Sequence, residues 1–344
     1  MPEPLLSIED LVVEFKTEDG VVHAVDGVSY ELFPGEILGI VGESGSGKSV
    51  STLALLGLIP MPPGRIVSGT AMFKGRDLLK LKKRELRKVR GNEVAMVFQD
   101  PMTSLNPVLT VGRQLGEAIK THFPDEKADV VKQKVIELLR IVGVPNPETR
   151  YTQYPHEFSG GMRQRAMIAM GISNSPSLLI ADEPTTALDV TIQAQIVELV
   201  SRLKDDFDSA VIFITHDLGV IAEIADEIIV MYAGRVVERG SKRDVFYDPQ
   251  MPYTWGLLGS IPRLDRPRVE RLHTIEGMPP SLINLPEGCK FRPRCPHAFE
   301  KCMQEPPLEN RVEAPGHLDR CWLDVEFKRS HRDETIAGGS VEAA

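Results

Sequence analysis

Gly42-Glu43-Ser44-Gly45-Ser46-Gly47-Lys48-Ser49 fills every fixed position of the phosphate-binding pattern G-x-x-x-x-G-K-[ST]. Glycines there let the backbone close around phosphate oxygens without a Cβ in the way. Lys48 can reach the β- and γ-phosphates of a nucleoside triphosphate, and Ser49 can offer a hydroxyl to Mg²⁺. The flanks suit that chemistry. Ile37-Leu38-Gly39-Ile40-Val41 reads as a buried strand and Val50 to Leu58 as a helix, so backbone N–H groups converge beside the positive end of a helix dipole. A mere Gly/Ser-rich turn is the bland alternative, and the filled pattern in its correct context speaks against it.

Further segments could act on the same phosphates. Leu178-Leu179-Ile180-Ala181-Asp182-Glu183 is an apolar strand ending in two carboxylates. Asp182 is placed to hold Mg²⁺ through its water shell and Glu183 to orient or deprotonate an attacking water, although such acids also cap helices. Phe158-Ser159-Gly160-Gly161-Met162-Arg163-Gln164-Arg165 opens a long apolar-periodic segment, which predicts Ser159 as a helix N-cap and a second anion-binding helix terminus. Gln99 follows the strand Val94 to Phe98 and opens a loop rich in turn residues. His216 follows the strand Ala210 to Thr215, where a histidine by type alone more often packs or caps than catalyses.

In this order the set resembles the ATP-binding subunits of ABC transporters, across roughly residues 5 to 248. Gly42 to Ser49 is similar to Walker A, Gln99 to the Q-loop, and Ser159 to Met162 to the signature. Leu178 to Glu183 is similar to Walker B with its glutamate, Ala187-Leu188-Asp189 to the D-loop, and His216 to the switch histidine. Met162 stands where the commonest signature has Gln. The resemblance implies nucleotide binding by Phe15, Gly42, Ser44, Gly45, Ser46, Gly47, Lys48, Ser49 and Val50, with Phe15 stacking on adenine. It implies Mg²⁺ binding by Ser49, Gln99 and Asp182, and catalysis by Glu183, His216 and Gln99. Ser159, Gly160, Gly161 and Asp189 would reach the nucleotide of a partner subunit.

The elements that must position these residues can be read coarsely. Strands are expected over Leu5–Phe15 and Val21–Leu32 around a turn at Glu18-Asp19-Gly20, and again over Ser68–Phe73. Lys82 to Arg90 reads as an exposed helix. Thr110 to about Ser175 is helical in pattern, broken at Pro145-Asn146-Pro147. Strands and helices then alternate to about Gly240, as a mostly parallel sheet requires. No internal repeat is present. The expected fold is α/β: a P-loop nucleotide-binding core over 1–250 with an antiparallel β subdomain and a helical subdomain near 100–175. A small cysteine-containing C-terminal domain over 251–327 follows, and the charged, small-residue tail 328–344 reads as disordered.

Composition narrows the partners. The net charge is −9, from 40 Lys+Arg against 49 Asp+Glu, which speaks against a nucleic-acid binder. No run approaches the roughly eighteen apolar residues of a membrane span, and Met1-Pro2-Glu3-Pro4 lacks a secretory signal. A cytosolic chain that meets a membrane only through partners is expected.

Cys289, Cys295, Cys302 and Cys321 are the chain's four cysteines, crowded into one region. A cytosolic chain argues against disulfides. Zinc prefers C-x₂₋₄-C pairs, absent here, whereas four thiolates suit a [4Fe–4S] cluster whose charge Lys290, Arg292 and Arg294 could offset. The chemistry alone leaves cluster, zinc and free thiols open; His297 and His317 could in principle replace one ligand, but four cysteines make that unnecessary.

A narrower resemblance follows. Phe98-Gln99-Asp100-Pro101-Met102-Thr103-Ser104-Leu105-Asn106-Pro107 and His156 to Arg165 resemble the Q-loop and signature regions of the peptide/nickel importer ATPases. Pro252-Tyr253-Thr254-Trp255-Gly256-Leu257-Leu258, Gly288-Cys289 and Arg292-Pro293-Arg294-Cys295-Pro296 resemble their C-terminal extension, which in that family carries an iron–sulfur cluster. The resemblance implies an ATP hydrolase at the cytoplasmic face of a bacterial inner membrane, powering uptake of oligopeptides or dipeptides. It implies head-to-tail pairing with a second, related ATPase, two membrane permeases and an extracytoplasmic binding protein. Nickel or another small solute is the alternative cargo. A soluble ABC ATPase acting on nucleic acid is a remoter alternative, since the chain has no coiled-coil heptads and no basic stripe.

Overall fold

The computed structural model describes residues 3–100, 104–186, 188–261 and 274–336. Pro101, Met102 and Thr103 of the Q-loop segment, Ala187 of the D-loop segment and residues 337–344 of the tail lie outside the described residues. The described chain forms two compact units, neither continuous in sequence. One comprises the described parts of Met1–Leu5, Leu32–Ile37 and Lys80–Thr215, the other Leu6–Glu31, Leu38–Leu79 and the described parts of His216–Ala344.

In the second unit, Leu6–Thr17 (β1) and Gly20–Leu32 (β2) flank the turn expected at Glu18-Asp19. Ile37–Val41 (β3) is buried along its whole length, as its unbroken apolar run requires. Lys48–Leu55 (α1) begins two residues earlier than the sequence pattern indicates, because Gly47 takes a left-handed conformation (φ 97°) that lets the helix start at once. Gly64–Phe73 (β4) also starts earlier than expected. It pairs antiparallel with β1 as far as Phe15 opposite Gly64, and Arg76–Asp77 (β5) closes a sheet of order β2-β1-β4-β5.

The other unit carries Lys83–Val89 (α2) and Val94–Val97 (β6), then the helical stretch Val111–His122 (α3), Ala128–Ile141 (α4), Pro147–Arg150 (α5) and Gly160–Gly171 (α6). Each break has a local cause. Thr110 caps α3 by accepting from the Arg113 amide, and Pro147 opens α5 at a position where no helical N–H is needed. Leu178–Asp182 (β7), Val190–Phe207 (α7) and Ala210–Ile214 (β8) follow. β6, β7 and β8 pair in parallel, and every residue of β7 and β8 is buried, which matches a sheet covered on both faces.

After His216 the chain re-enters the second unit as Leu218–Ile224 (α8), Glu227–Tyr232 (β9), Arg235–Ser241 (β10), Lys242–Tyr247 (α9) and Pro252–Gly259 (α10). β3 pairs in parallel with β9, and β9 pairs antiparallel with β10. Gly39 allows this packing. A Cβ there would stand 2.9 Å from the Ile221 side chain of α8. Short strands Glu309–Asn310 (β11) and Leu318–Asp319 (β12) extend β10, and Val325–Ile336 (α11) packs on α10.

That last helix corrects the expected disordered tail for residues 328–336. Lys328 is fully buried and donates to Asp319 at 2.7 Å, while Phe327 and His331 stack at 3.9 Å between ring centroids. A charged composition hid a helix anchored by one buried ion pair. Nearby, the buried Glu238 accepts from the Gln250 and Met251 amides and pairs with His317 at 2.9 Å. Burial raises the Asp319 carboxyl above its ordinary range, against the pull of Lys328 and Arg311. Lys328→Met should therefore leave the buried Asp319 carboxylate with Arg311 alone, at 3.4 Å, and cost about 3 kcal/mol of stability. Chemical denaturation measures this, and an unshifted midpoint would contradict a role for the pair.

Candidate functional site

The phosphate loop is shaped by backbone that approaches too closely for side chains. A Cβ on Gly42 (φ 152°) would lie 2.2 Å from the Met231 carbonyl oxygen. One on Gly47 (φ 97°) would lie 2.2 Å from the Ala24 carbonyl oxygen. No side chain caps α1 at Gly47, as befits a helix start meant for an anion. Lys48, 4% exposed, donates through Nζ to the Gly42 oxygen at 2.8 Å and the Glu43 oxygen at 3.1 Å. The Gly234 amide holds the Ser46 carbonyl at 3.0 Å, tying the loop to the β9–β10 turn. Ser44 and Gly45 form the loop's crest, and Ser49 and Val50 lie in the first turn of α1. Phe15 is half-buried on β1, its ring 3.0 Å from where a Gly64 Cβ would stand.

In the other unit, β7 delivers Asp182 buried and Glu183 in a left-handed backbone conformation (φ 47°). A non-glycine residue there costs about 1–2 kcal/mol and is held only if its surroundings insist. They do: the Glu183 amide donates to the Ile214 oxygen of β8 at 2.9 Å. Its Oε2 accepts from Gln99 Nε2 at 2.9 Å and from Thr186 Oγ1 at 2.9 Å. The expected catalytic acid and Gln99 are thus in direct contact.

Ser159 caps α6, its Oγ accepting from the Met162 amide at 3.3 Å, and Gly160 has open space where a side chain would stand. Asp189 caps α7, accepting from the Ile192 amide at 3.0 Å. A Cβ on Gly161 would come 3.0 Å from Ile192, so these two helix starts are neighbours on one unit. His216 belongs to the other unit, exposed just before Asp217, which caps α8.

The four cysteines are unpaired by disulfides. The Cys289 amide donates to the Cys302 oxygen at 3.0 Å. Burial pushes the Cys295 and Cys321 thiols up to about 12 and raises Cys289, and the thiols feel one another's charge. Among the described residues, no group of three or more His, Cys, Asp or Glu side chains converges as a single metal ion requires. His317 is paired with Glu238, and His297 packs edge-on against Trp255 and Phe327.

Two expected charge partners of the cysteines face elsewhere. Arg294 grips Glu43 of the phosphate loop, and Lys290 binds the Pro286 oxygen and Glu305. Sequence reasoning missed the first of these contacts, together with Tyr253 Oη, which accepts from the Glu43 amide at 2.8 Å. Only the basic residues beside Cys295 hinted at it.

Comparison with known proteins places this geometry. The family model described as "ABC transporter" matches residues 25–186, and that described as "Oligopeptide/dipeptide transporter, C-terminal region" matches residues 237–302. The chain is 52% identical to the oligopeptide transport ATP-binding protein OppD of Bacillus subtilis, covering 93% of this chain and 88% of that one. It is 54% identical to its namesake from Salmonella typhimurium (94% and 96%) and 50% identical to the dipeptide transport ATP-binding protein DppD of Escherichia coli (94% and 97%). A dimeric ATP-binding cassette solved in a post-hydrolysis state with ADP and Pi is similar at a TM-score of 0.63 and 25% identity, over 69% of this chain and 99% of that one.

Proposed function

The chain belongs to the ABC transporter ATP-binding proteins of the oligopeptide/dipeptide type, and from that premise we propose that it hydrolyses ATP to power import of oligopeptides or dipeptides across a cytoplasmic membrane. The observation that carries the hydrolytic reading is the Glu183 carboxylate, fixed by Gln99 and Thr186 at the end of a buried strand. Peptide cargo is supported by the relatives' transport functions and the match over 237–302, which favour it over nickel.

In this reading Lys48 exchanges its loop carbonyls for β- and γ-phosphate oxygens, and the loop amides from Gly42 to Val50 take the remaining charge. Phe15 stacks on adenine. Ser49, Gln99 and Asp182 would hold Mg²⁺, which would neutralise charge developing on the phosphates. Glu183 accepts the proton of the attacking water as its oxygen bonds to the γ-phosphorus and the bond to the ADP oxygen breaks. His216 steadies the γ-phosphate. Ser159, Gly160, Gly161 and Asp189 face the nucleotide of a second ATPase subunit, so two chains close around ATP and part after hydrolysis. Two permeases and an extracytoplasmic binding protein complete the assembly. No helix among the described residues is long and apolar enough to cross a membrane, so the permeases would hold this chain at the cytoplasmic face.

Cys289, Cys295, Cys302 and Cys321 would hold a [4Fe–4S] cluster in a structural or regulatory role. In such a cluster each thiolate binds a different iron, so the sulfurs need not converge on one point.

Glu183→Gln should bind ATP normally yet hydrolyse it about a hundredfold more slowly in the assembled transporter. Turnover at the wild-type rate would remove Glu183 from the proton-accepting role. Anaerobically purified protein should be brown with about four irons per chain. Colourless protein with one zinc per chain would replace the cluster by a zinc site.

A further inference from the structure

Glu43 sits in the phosphate loop, where an unpaired carboxylate would repel the anion the loop is built to receive. Every hydrogen-bonding group it has is held. Its amide donates to Tyr253 Oη at 2.8 Å, and its carbonyl accepts from Lys48 Nζ at 3.1 Å and from the Ser46 amide at 3.2 Å. Its carboxylate takes a two-pronged grip from Arg294, Nη1 to Oε2 at 2.6 Å and Nη2 to Oε1 at 3.0 Å.

Arg294 is equally committed. Its side chain is 5% exposed, and the guanidinium's five N–H donors meet five partners. Besides the two Glu43 oxygens these are Tyr232 Oη at 3.4 Å and the carbonyls of Glu276 at 3.0 Å and Ile275 at 3.4 Å. The turn Arg292–Arg294 that presents it is bracketed by cysteines, the Arg292 amide donating to the Cys289 oxygen and the Cys295 amide to the Arg292 oxygen. Phe291 of the same turn packs edge-on against Tyr232 and tilted against Tyr253. Residues 251 positions apart thus share one partly buried, fully satisfied ion pair in the phosphate loop.

We infer that Arg294 is a positioning residue for nucleotide binding: through Glu43 it neutralises and braces the phosphate loop, and so couples that loop to the cysteine-bearing segment. The inference rests on Gly42–Ser49 being the triphosphate site. Coupling of this kind is reciprocal, so ATP in the loop also steadies the turn that carries Arg294.

Titration of the purified protein with Mg-ATP, and ATP kinetics of the assembled transporter, test it through a double-mutant cycle. Arg294→Ala should raise Kd and KM about tenfold, with kcat within about twofold of wild type. Glu43→Gln should raise Kd about threefold, losing the brace but also the repulsive charge, and adding Arg294→Ala to it should change Kd less than about twofold. Amide hydrogen exchange over residues 288–295 should slow on ATP binding in wild type and not in Glu43→Gln. An unchanged Kd in Arg294→Ala, or its full tenfold effect persisting beside Glu43→Gln, would overturn the inference. If Arg294→Ala does not fold, Glu43→Gln decides: wild-type Kd and wild-type exchange protection there overturn it. Lys48→Ala is the reference. ATP binding retained in that variant removes the triphosphate site itself, whereas binding lost there and unaffected in the Glu43 and Arg294 variants removes only the coupling.

Discussion

The phosphate loop exists because backbone occupies the space that side chains would need. At Gly42 and Gly47 the carbonyls of Met231 and Ala24 stand where a Cβ would go. Chain from β2, from β3 and from the end of β9 therefore converges on the same few residues. That crowding aims amides rather than side chains inward, and it leaves Lys48 resting on the loop's own carbonyls. An ammonium so placed is largely removed from water and rests on neutral acceptors.

Chemistry and binding are divided between differently built elements. The phosphate loop is glycine-shaped and held by backbone contacts. Glu183 is held by strain offset locally: a left-handed backbone, one ladder bond to Ile214 and two side-chain donors on one oxygen. The paired helix starts at Ser159 and Asp189 form a third surface, with open space beside Gly160.

Features set by neighbouring residues were legible in the sequence. The strand before Gly42, the cap at Ser159, the helix start at Thr110 and the break at Pro147 rest on glycine, capping and proline chemistry within a few residues. Family resemblance gave Gln99 and Glu183 roles at one nucleotide, and their direct contact emerged only in the structure. What stayed hidden depends on distant pairing. Nothing local marks Lys328 as buried or Arg294 as the partner of Glu43, and both were read from composition as solvent or cluster charges. The crowding of the cysteines was plain in the sequence.

The central claim is that this chain converts ATP hydrolysis into peptide uptake. Its most direct measurement is accumulation of a labelled peptide by cells lacking this chain and carrying it back on a plasmid, beside cells carrying Lys48→Ala. ATP-dependent uptake restored by the wild-type chain and not by the variant is the predicted result. Peptide uptake that is the same with the chain, without it and with the variant would contradict the account.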